Sequence, residues 1–355
     1  MAGGHVPVFA CAGCGAVLTA PVAEVALPVH AHQQYGHYLL PALMEPGTYA
    51  VDPEPSGHPW RPYDEVGPRE AEARGVYAPV HALSYGPPGA IALSPGDVRG
   101  TVPIPERCDG LCCGLDGRNG PNLACERCGR EVATRKDDCS YWHVVWLDPR
   151  AVRVVDADGP PRHALEWEEL RDELAEIPPA EPIGAWSPVW EAAVAAALAR
   201  LLAVSGGARV AVPAGPVAGV FRPALDVLLP PGPPVKSLSL AGPGLPAATS
   251  DIALVPRHPQ TGEAWPYGVG VVVPLTAEVW TYLAFHDDRR LIGVAGGRAG
   301  GACREAPTPL VPNRPFRPDW DVFLGALARL PEVREPWLRA IHDRVRKGRY
   351  TDPFL

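Results

Sequence analysis

A chain of 355 residues with 46% hydrophobic and 20% charged residues has the composition of a folded protein of one or two domains, which excludes a disordered chain. Its formal net charge of −8 argues against a general nucleic-acid binder, which carries a basic excess. No stretch of about 18 uncharged apolar residues is present, so no transmembrane helix is expected, and Met1-Ala2-Gly3-Gly4-His5 has neither the basic nor the apolar region of a signal peptide, so the cytoplasm is the expected compartment.

Taken in chain order, 6–9 and 22–29 read as short strands, and 30–75 is rich in Pro, Gly and His without a sustained period. Residues 76–83 and 90–93 read as strands around the turn Tyr85-Gly86-Pro87-Pro88-Gly89. The stretch 108–139 is loop-like, with Asp116-Gly117 and Asn119-Gly120 turns. Residues 142–147 and 152–155 look like a hairpin or two neighbouring strands. A helix is expected over 164–177, where Trp167, Leu170, Leu174 and Ile177 recur at helical spacing. The stretch Pro178-Pro179-Ala180-Glu181-Pro182 stops it and is the expected domain boundary.

Beyond the boundary, Ser187 is placed as an N-cap and Pro188 in the first turn of a helix whose apolar face is Trp190, Val194, Leu198 and Leu201. Strands are expected at 209–212, 235–240, 252–255 and 269–273. A helix from Thr276 to about 285, a strand at 291–295 and two C-terminal helices at 319–330 and 335–347 follow. The expected class is α+β: a strand- and loop-rich module over 1–177, then an α/β-type domain over 183–355.

Cysteine usage points to chemistry. Eight of the nine cysteines lie in the first 139 residues, and two pairs repeat a pattern. Cys11-Ala12-Gly13-Cys14-Gly15 follows Phe9-Ala10, and Cys125-Glu126-Arg127-Cys128-Gly129 follows Leu123-Ala124. Two intervening residues let both thiolates reach one ion at about 2.3 Å, and the next glycine can take φ > 0 so that the chain turns back. A redox pair would instead open a helix after a strand, and neither pair precedes a helical pattern. The pairs resemble the knuckles of zinc-ribbon and treble-clef proteins, which implies a structural zinc site. The chain as a whole also resembles proteins common in GC-rich bacteria, consistent with 29 Arg against 3 Lys, and that resemblance implies no activity.

Ligand pairing has open alternatives. Cys11, Cys14, Cys125 and Cys128 can form one ribbon site. Alternatively, 108–139 closes its own site from Cys125, Cys128, Cys139 and one of Cys108, Cys112 or Cys113, with or without a second site at Cys11 and Cys14. Cys112 and Cys139 are therefore candidate ligands too. Other constellations read as ordinary: His30, His32 and His37 as turn histidines, His143 as a strand residue, Gly296–Gly301 as a loop, and His286-Asp287-Asp288 as a charged turn. No Gly-x-Ser-x-Gly, His-Glu-x-x-His or dinucleotide fingerprint is present. The first expectation for function is a zinc-stabilised binding or regulatory protein that recognises another protein. The second is an enzyme with a pocket in the C-terminal domain or between the halves, and the third a nucleic-acid-associated zinc protein.

Overall fold

The structure is a computed structural model that describes residues 5–158, 164–173, 177–181, 184–268, 270–285, 312 and 314–348. The chain packs as two units. The first comprises Met1–Arg74, Pro79–Leu165 and Pro259–Gly262; the second comprises Gly75–Ala78, Glu166–His258 and Glu263–Leu355.

The first unit is built on a seven-stranded sheet in the order Ala23–Glu24, Thr48–Asp52, Ala90–Leu93, Val144–Leu147, Glu131–Lys136, Leu123–Cys125, Thr101–Pro103. All neighbours are antiparallel except the first two strands, which run parallel. Ala90–Leu93 and Val144–Leu147 are buried at every position, which suits the centre of a sheet covered on both faces. A separate antiparallel pair joins His5–Cys11 to Val152–Asp158 in unbroken register, from His5 opposite Asp158 to Cys11 opposite Val152. Phe9, Leu18, Leu93, Leu123, Val132 and Leu147 pack in one core, and the Cys11 and Cys125 side chains belong to it.

Two expected pairings are replaced. The stretch before the 85–89 turn does not pair with Ala90–Leu93; Ala82–Ser84 pairs with Trp60–Pro62 instead. The turn packs on the chain near Ser56, because a Cβ on Gly86 would stand 2.1 Å from the Ser56 carbonyl oxygen. Likewise Val144–Leu147 and Val152–Asp158 part company, the first to the large sheet and the second to the N-terminal strand. The 108–139 stretch, expected as loop, contributes two strands of the large sheet. Their apolar residues, Leu123, Ala124, Val132 and Ala133, are too few to show a period.

The second unit carries four parallel strands in sequential order: Val210–Ala211, Lys236–Leu240, Ile252–Arg257 and Val271–Thr276. Helix Pro188–Ser205 has the length and mean hydropathy, 1.4, of a membrane span, yet 72% of it is buried inside this unit, as befits its core helix. It starts directly after Ser187, but the Ser187 hydroxyl makes no cap bond and is buried without a partner among the described residues. Helix Pro216–Leu228 was not legible in the sequence, since Gly215, Gly219 and Pro223 interrupt its pattern. It buries Val217, Val220, Phe221, Leu225 and Leu228. Trp167–Glu173, Ala277–Phe285, Trp320–Ala328 and Pro336–Lys347 are the other α-helices described in this unit, with the Asp319 carboxylate capping Trp320–Ala328 by accepting from Val322 N–H. The strand expected at 291–295 lies outside the described residues.

Along this part of the chain the two compact units divide at Leu165/Glu166. Residues 177–181 are tied to the helix start, whose N–H groups donate to two of their carbonyls. Ser187 N–H donates to Pro179 O, and the Trp190 indole N–H donates to Ile177 O, both at 2.9 Å.

Gly242 has no room for a side chain: a Cβ there would stand 2.3 Å from the fully buried Trp280 ring, which is anchored to Leu254 O. Gly242→Ala should therefore cost about 1–3 kcal/mol by overpacking, read as a lower denaturant midpoint with unchanged metal content. In the first unit, the His30 ring lies against Trp142 at 4.4 Å between centroids, and its Nδ1 is buried without a partner among the described residues. Burial pushes its pKa down from 6.5 to about 4. The unfolded chain takes up the proton first as pH falls, so this part of the stability is present above about pH 6.5 and lost towards pH 4. Thermal melting across that window should show the loss, and His30→Phe should flatten it; an equal slope in both proteins would assign the titration elsewhere.

Candidate metal centre

Cys11 ends the strand His5–Cys11, and Cys125 ends the strand Leu123–Cys125. Each opens a turn closed by the same two backbone bonds. Cys11 N–H donates to Ala16 O at 2.8 Å, and Gly15 N–H to Cys11 O at 2.9 Å. Cys125 N–H donates to Arg130 O and Gly129 N–H to Cys125 O, both at 2.8 Å. Gly15 and Gly129 have φ of 73° and 72°, the left-handed conformation that a side chain would strain. The alanines before the turns bridge in the same way, Ala10 to Val17 and Ala124 to Glu131. The repeat seen in the sequence is thus a repeat of backbone geometry.

These turns face each other. The four sulfurs of Cys11, Cys14, Cys125 and Cys128 lie within 4.8 Å of one another, with Cys11–Cys128 and Cys14–Cys125 both at 3.6 Å. A tetrahedron with bonds of about 2.3 Å has an edge of ~3.8 Å, so the arrangement fits one tetrahedral ion. Cys11 and Cys125 are buried, Cys14 is half-buried and Cys128 is exposed. Burial pushes the Cys11 thiol up, but the N–H groups of Cys14 and Gly13 and the neighbouring thiols outweigh it and bring it down to about 7. The Arg130 N–H favours the Cys128 thiolate, yet the Cys14 thiol, burial and the other sulfurs push it up to about 11. Around the turns, Arg130 Cδ and an Arg153 guanidinium nitrogen lie 3.4 and 3.2 Å from where a Cβ on Gly13 and on Gly15 would stand.

Cys112 and Cys139 do not join this group. With Cys113 and Asp138 they form a second one, whose potential ligand atoms also lie within 4.8 Å of one another. Two cysteine-rich groups could therefore hold a metal ion. Asp138 is buried and saturated: it accepts Cys113 N–H at 2.7 Å, Cys139 N–H at 2.8 Å, Gly114 N–H at 3.0 Å and Cys112 N–H at 3.2 Å. The Cys113 N–H foremost, with the other donors, holds its carboxyl well below the usual range. Cys108 belongs to neither group; its thiol is exposed and donates to Ile104 O. His143 is in neither group. Cys303, His286-Asp287-Asp288 and Gly296–Gly301 lie outside the described residues.

A cleft of about 240 Å³ opens in the first unit, lined among others by His32, Asp116, Arg118, Lys136, Tyr141 and Trp146. His32 Nε2 is 2.8 Å from the buried Asp52 carboxylate, and its ring stacks on Trp146 at 5.2 Å. Asp116 is paired to Arg118 at 2.8 Å. Lys136, one of three lysines in the chain, faces the Tyr141 ring at 5.4 Å. Among the described residues, its ammonium has no hydrogen-bond acceptor. Burial pushes its pKa down against the pull of the Asp116 charge. Sequence reasoning missed Lys136, Asp52 and Asp138, which stand in no motif; the rarity of lysine was the one available signal. No protein-family model, curated protein or solved structure matches the chain, so chemistry has to be argued from this geometry.

Proposed function

We propose that the chain is a zinc-stabilised binding protein. Cys11, Cys14, Cys125 and Cys128 hold zinc as a structural ion, and the cleft of the first unit takes up an acidic group of a protein partner. Zinc suits four thiolates in tetrahedral array, brings no redox chemistry and is more available than the other metals such sites accept. Four thiolates leave no open position for water, and the excess negative charge is offset by Arg130 and Arg153 beside the turns. When bound, the ion supplies cross-linking of two chain segments rather than Lewis-acid chemistry.

The observation that carries the binding role is Lys136: a half-buried ammonium on a cleft wall, with no acceptor among the described residues, is matched by an incoming carboxylate. Arg118 is already paired with Asp116, so it contributes less charge. The net charge of −8 keeps nucleic acid the weaker partner class. A second reading, an enzyme using the same cleft, is favoured by the His32–Asp52 pair, an arrangement that serves a general base. Turnover of a test ester lost in His32→Asn would favour it.

Elemental analysis of protein purified under reducing conditions should find zinc, and Cys125→Ser should remove one equivalent and lower the melting temperature, because metal-binding energy in such a site is folding energy. Metal lost with melting unchanged would overturn the structural role. For the cleft, a hexaglutamate peptide at low salt should bind and a hexaglutamine peptide should not. Lys136→Gln should weaken the acidic peptide about tenfold, the effect of losing one charge-assisted bond. Equal binding of both peptides, or an unchanged affinity in the variant, would overturn this role.

A further inference from the structure

We propose a second metal centre, formed by Cys112, Cys113, Cys139 and His37, that fastens together three chain segments walling the cleft. It stands whether or not the cleft takes an acidic partner. Three thiols of this group already converge, and an imidazole from outside it stands against two of them: His37 Nδ1 is 3.4 Å from Cys139 Sγ and 4.0 Å from Cys112 Sγ. In a tetrahedral zinc site with bonds of about 2.3 Å to sulfur and 2.0 Å to nitrogen, the nitrogen–sulfur edge is ~3.5 Å. The two observed separations bracket that edge.

Asp138 lies in the same group but is a positioning residue, not a ligand. Its Oδ1 accepts the N–H groups of Cys113, Gly114 and Cys139 and the Cys113 thiol, and its Oδ2 accepts Cys112 N–H. By gathering those amides it bends both chain segments around itself and brings their thiols to one side, a supporting role that metal sites commonly need. The loop is wound too tightly for anything but glycine at two points. A Cβ on Gly110 would stand 1.7 Å from Gly114 O, and one on Gly114 would stand 2.6 Å from Asp137 O. A thiol pair kept for disulfide exchange needs neither this winding nor an imidazole against two sulfurs. The described cysteines are all free. Three thiolates and one imidazole select a borderline ion such as Zn²⁺.

The ligands sit on the segments that shape the cleft. His37 follows His32 and Gln34, the Cys112-Cys113 pair precedes Asp116 and Arg118, and Cys139 lies between Lys136 and Tyr141. Weak ties already join them: Asp137 and Asp138 N–H groups both donate to Leu115 O, and Tyr35 N–H donates to Ser140 O. An ion would lock these contacts. Because Cys112 and Cys113 are exposed whereas Cys11 and Cys125 are buried, this centre should exchange its metal first.

The full chain, purified with zinc under reducing conditions, should carry two equivalents by elemental analysis. Cys139→Ser should carry one. His37→Ala should lose the second equivalent to a chelator at lower concentration than the parent does. Hydrogen exchange should speed up over 110–121 and 136–141 in Cys139→Ser, while 9–18 and 123–132 keep their protection, which separates loss of this centre from misfolding. One equivalent in the parent that Cys139→Ser retains, two in Cys139→Ser, or a disulfide among Cys112, Cys113 and Cys139 in the reduced protein would overturn the proposal. One equivalent in the parent that survives Cys125→Ser but not Cys139→Ser would instead remove the first centre and leave this one.

Discussion

Four thiols drawn from turns 111 to 117 residues apart meet at one point, and the first unit depends on that meeting. Cys11 ends a strand of the two-stranded pair and Cys125 ends a strand of the seven-stranded sheet, so the group joins the two sheets at their shared core. Sulfurs this close repel when ionised; against burial, backbone N–H groups with the neighbouring thiols bring Cys11 down to about 7, while against the Arg130 N–H the Cys14 thiol, burial and the other sulfurs push Cys128 up to about 11. A divalent ion held there would remove that penalty and convert repulsion into a cross-link. The loop it closes is long, and closing a long loop in the folded state limits the freedom the chain would otherwise regain by opening there.

The two cysteine groups solve the ligand problem differently. In the first, the backbone does the work: identical turns with left-handed glycines present thiols from strand ends, and apolar side chains pack behind them. In the second, a single buried carboxylate gathers amides from two segments and the thiols follow. The first arrangement is seated in the core and the second faces solvent beside a cleft.

The second unit rests on more ordinary forces. A parallel sheet in sequential order needs cover, and the buried Pro188–Ser205 helix with Pro216–Leu228 supplies apolar surface for it. Close contacts such as Gly242 against Trp280 leave little tolerance for added volume.

Local chemistry was readable from the residues alone. The Cys-x-x-Cys-Gly spacing encodes its own turn, since two thiols and a left-handed glycine are set by neighbours in the chain. The Trp190, Val194, Leu198, Leu201 stripe marks a helix for the same reason, and the parallel strands of the second unit carry enough consecutive apolar residues to be seen. What the residues did not reveal is which segments meet. Short strands such as Leu123–Cys125 hold too few residues to show alternation, and 90–93 could as well have paired with its neighbour in sequence. Asp138, His37 and Lys136 acquire their surroundings from segments far along the chain, so nothing in their local spacing announces them. The pairing of Cys11 and Cys14 with Cys125 and Cys128, rather than with nearer cysteines, was decided by the sheet: the positions of strands 5–11 and 123–125 around a common core bring those turns face to face, and burial of that core is a property of the whole fold and not of any stretch within it.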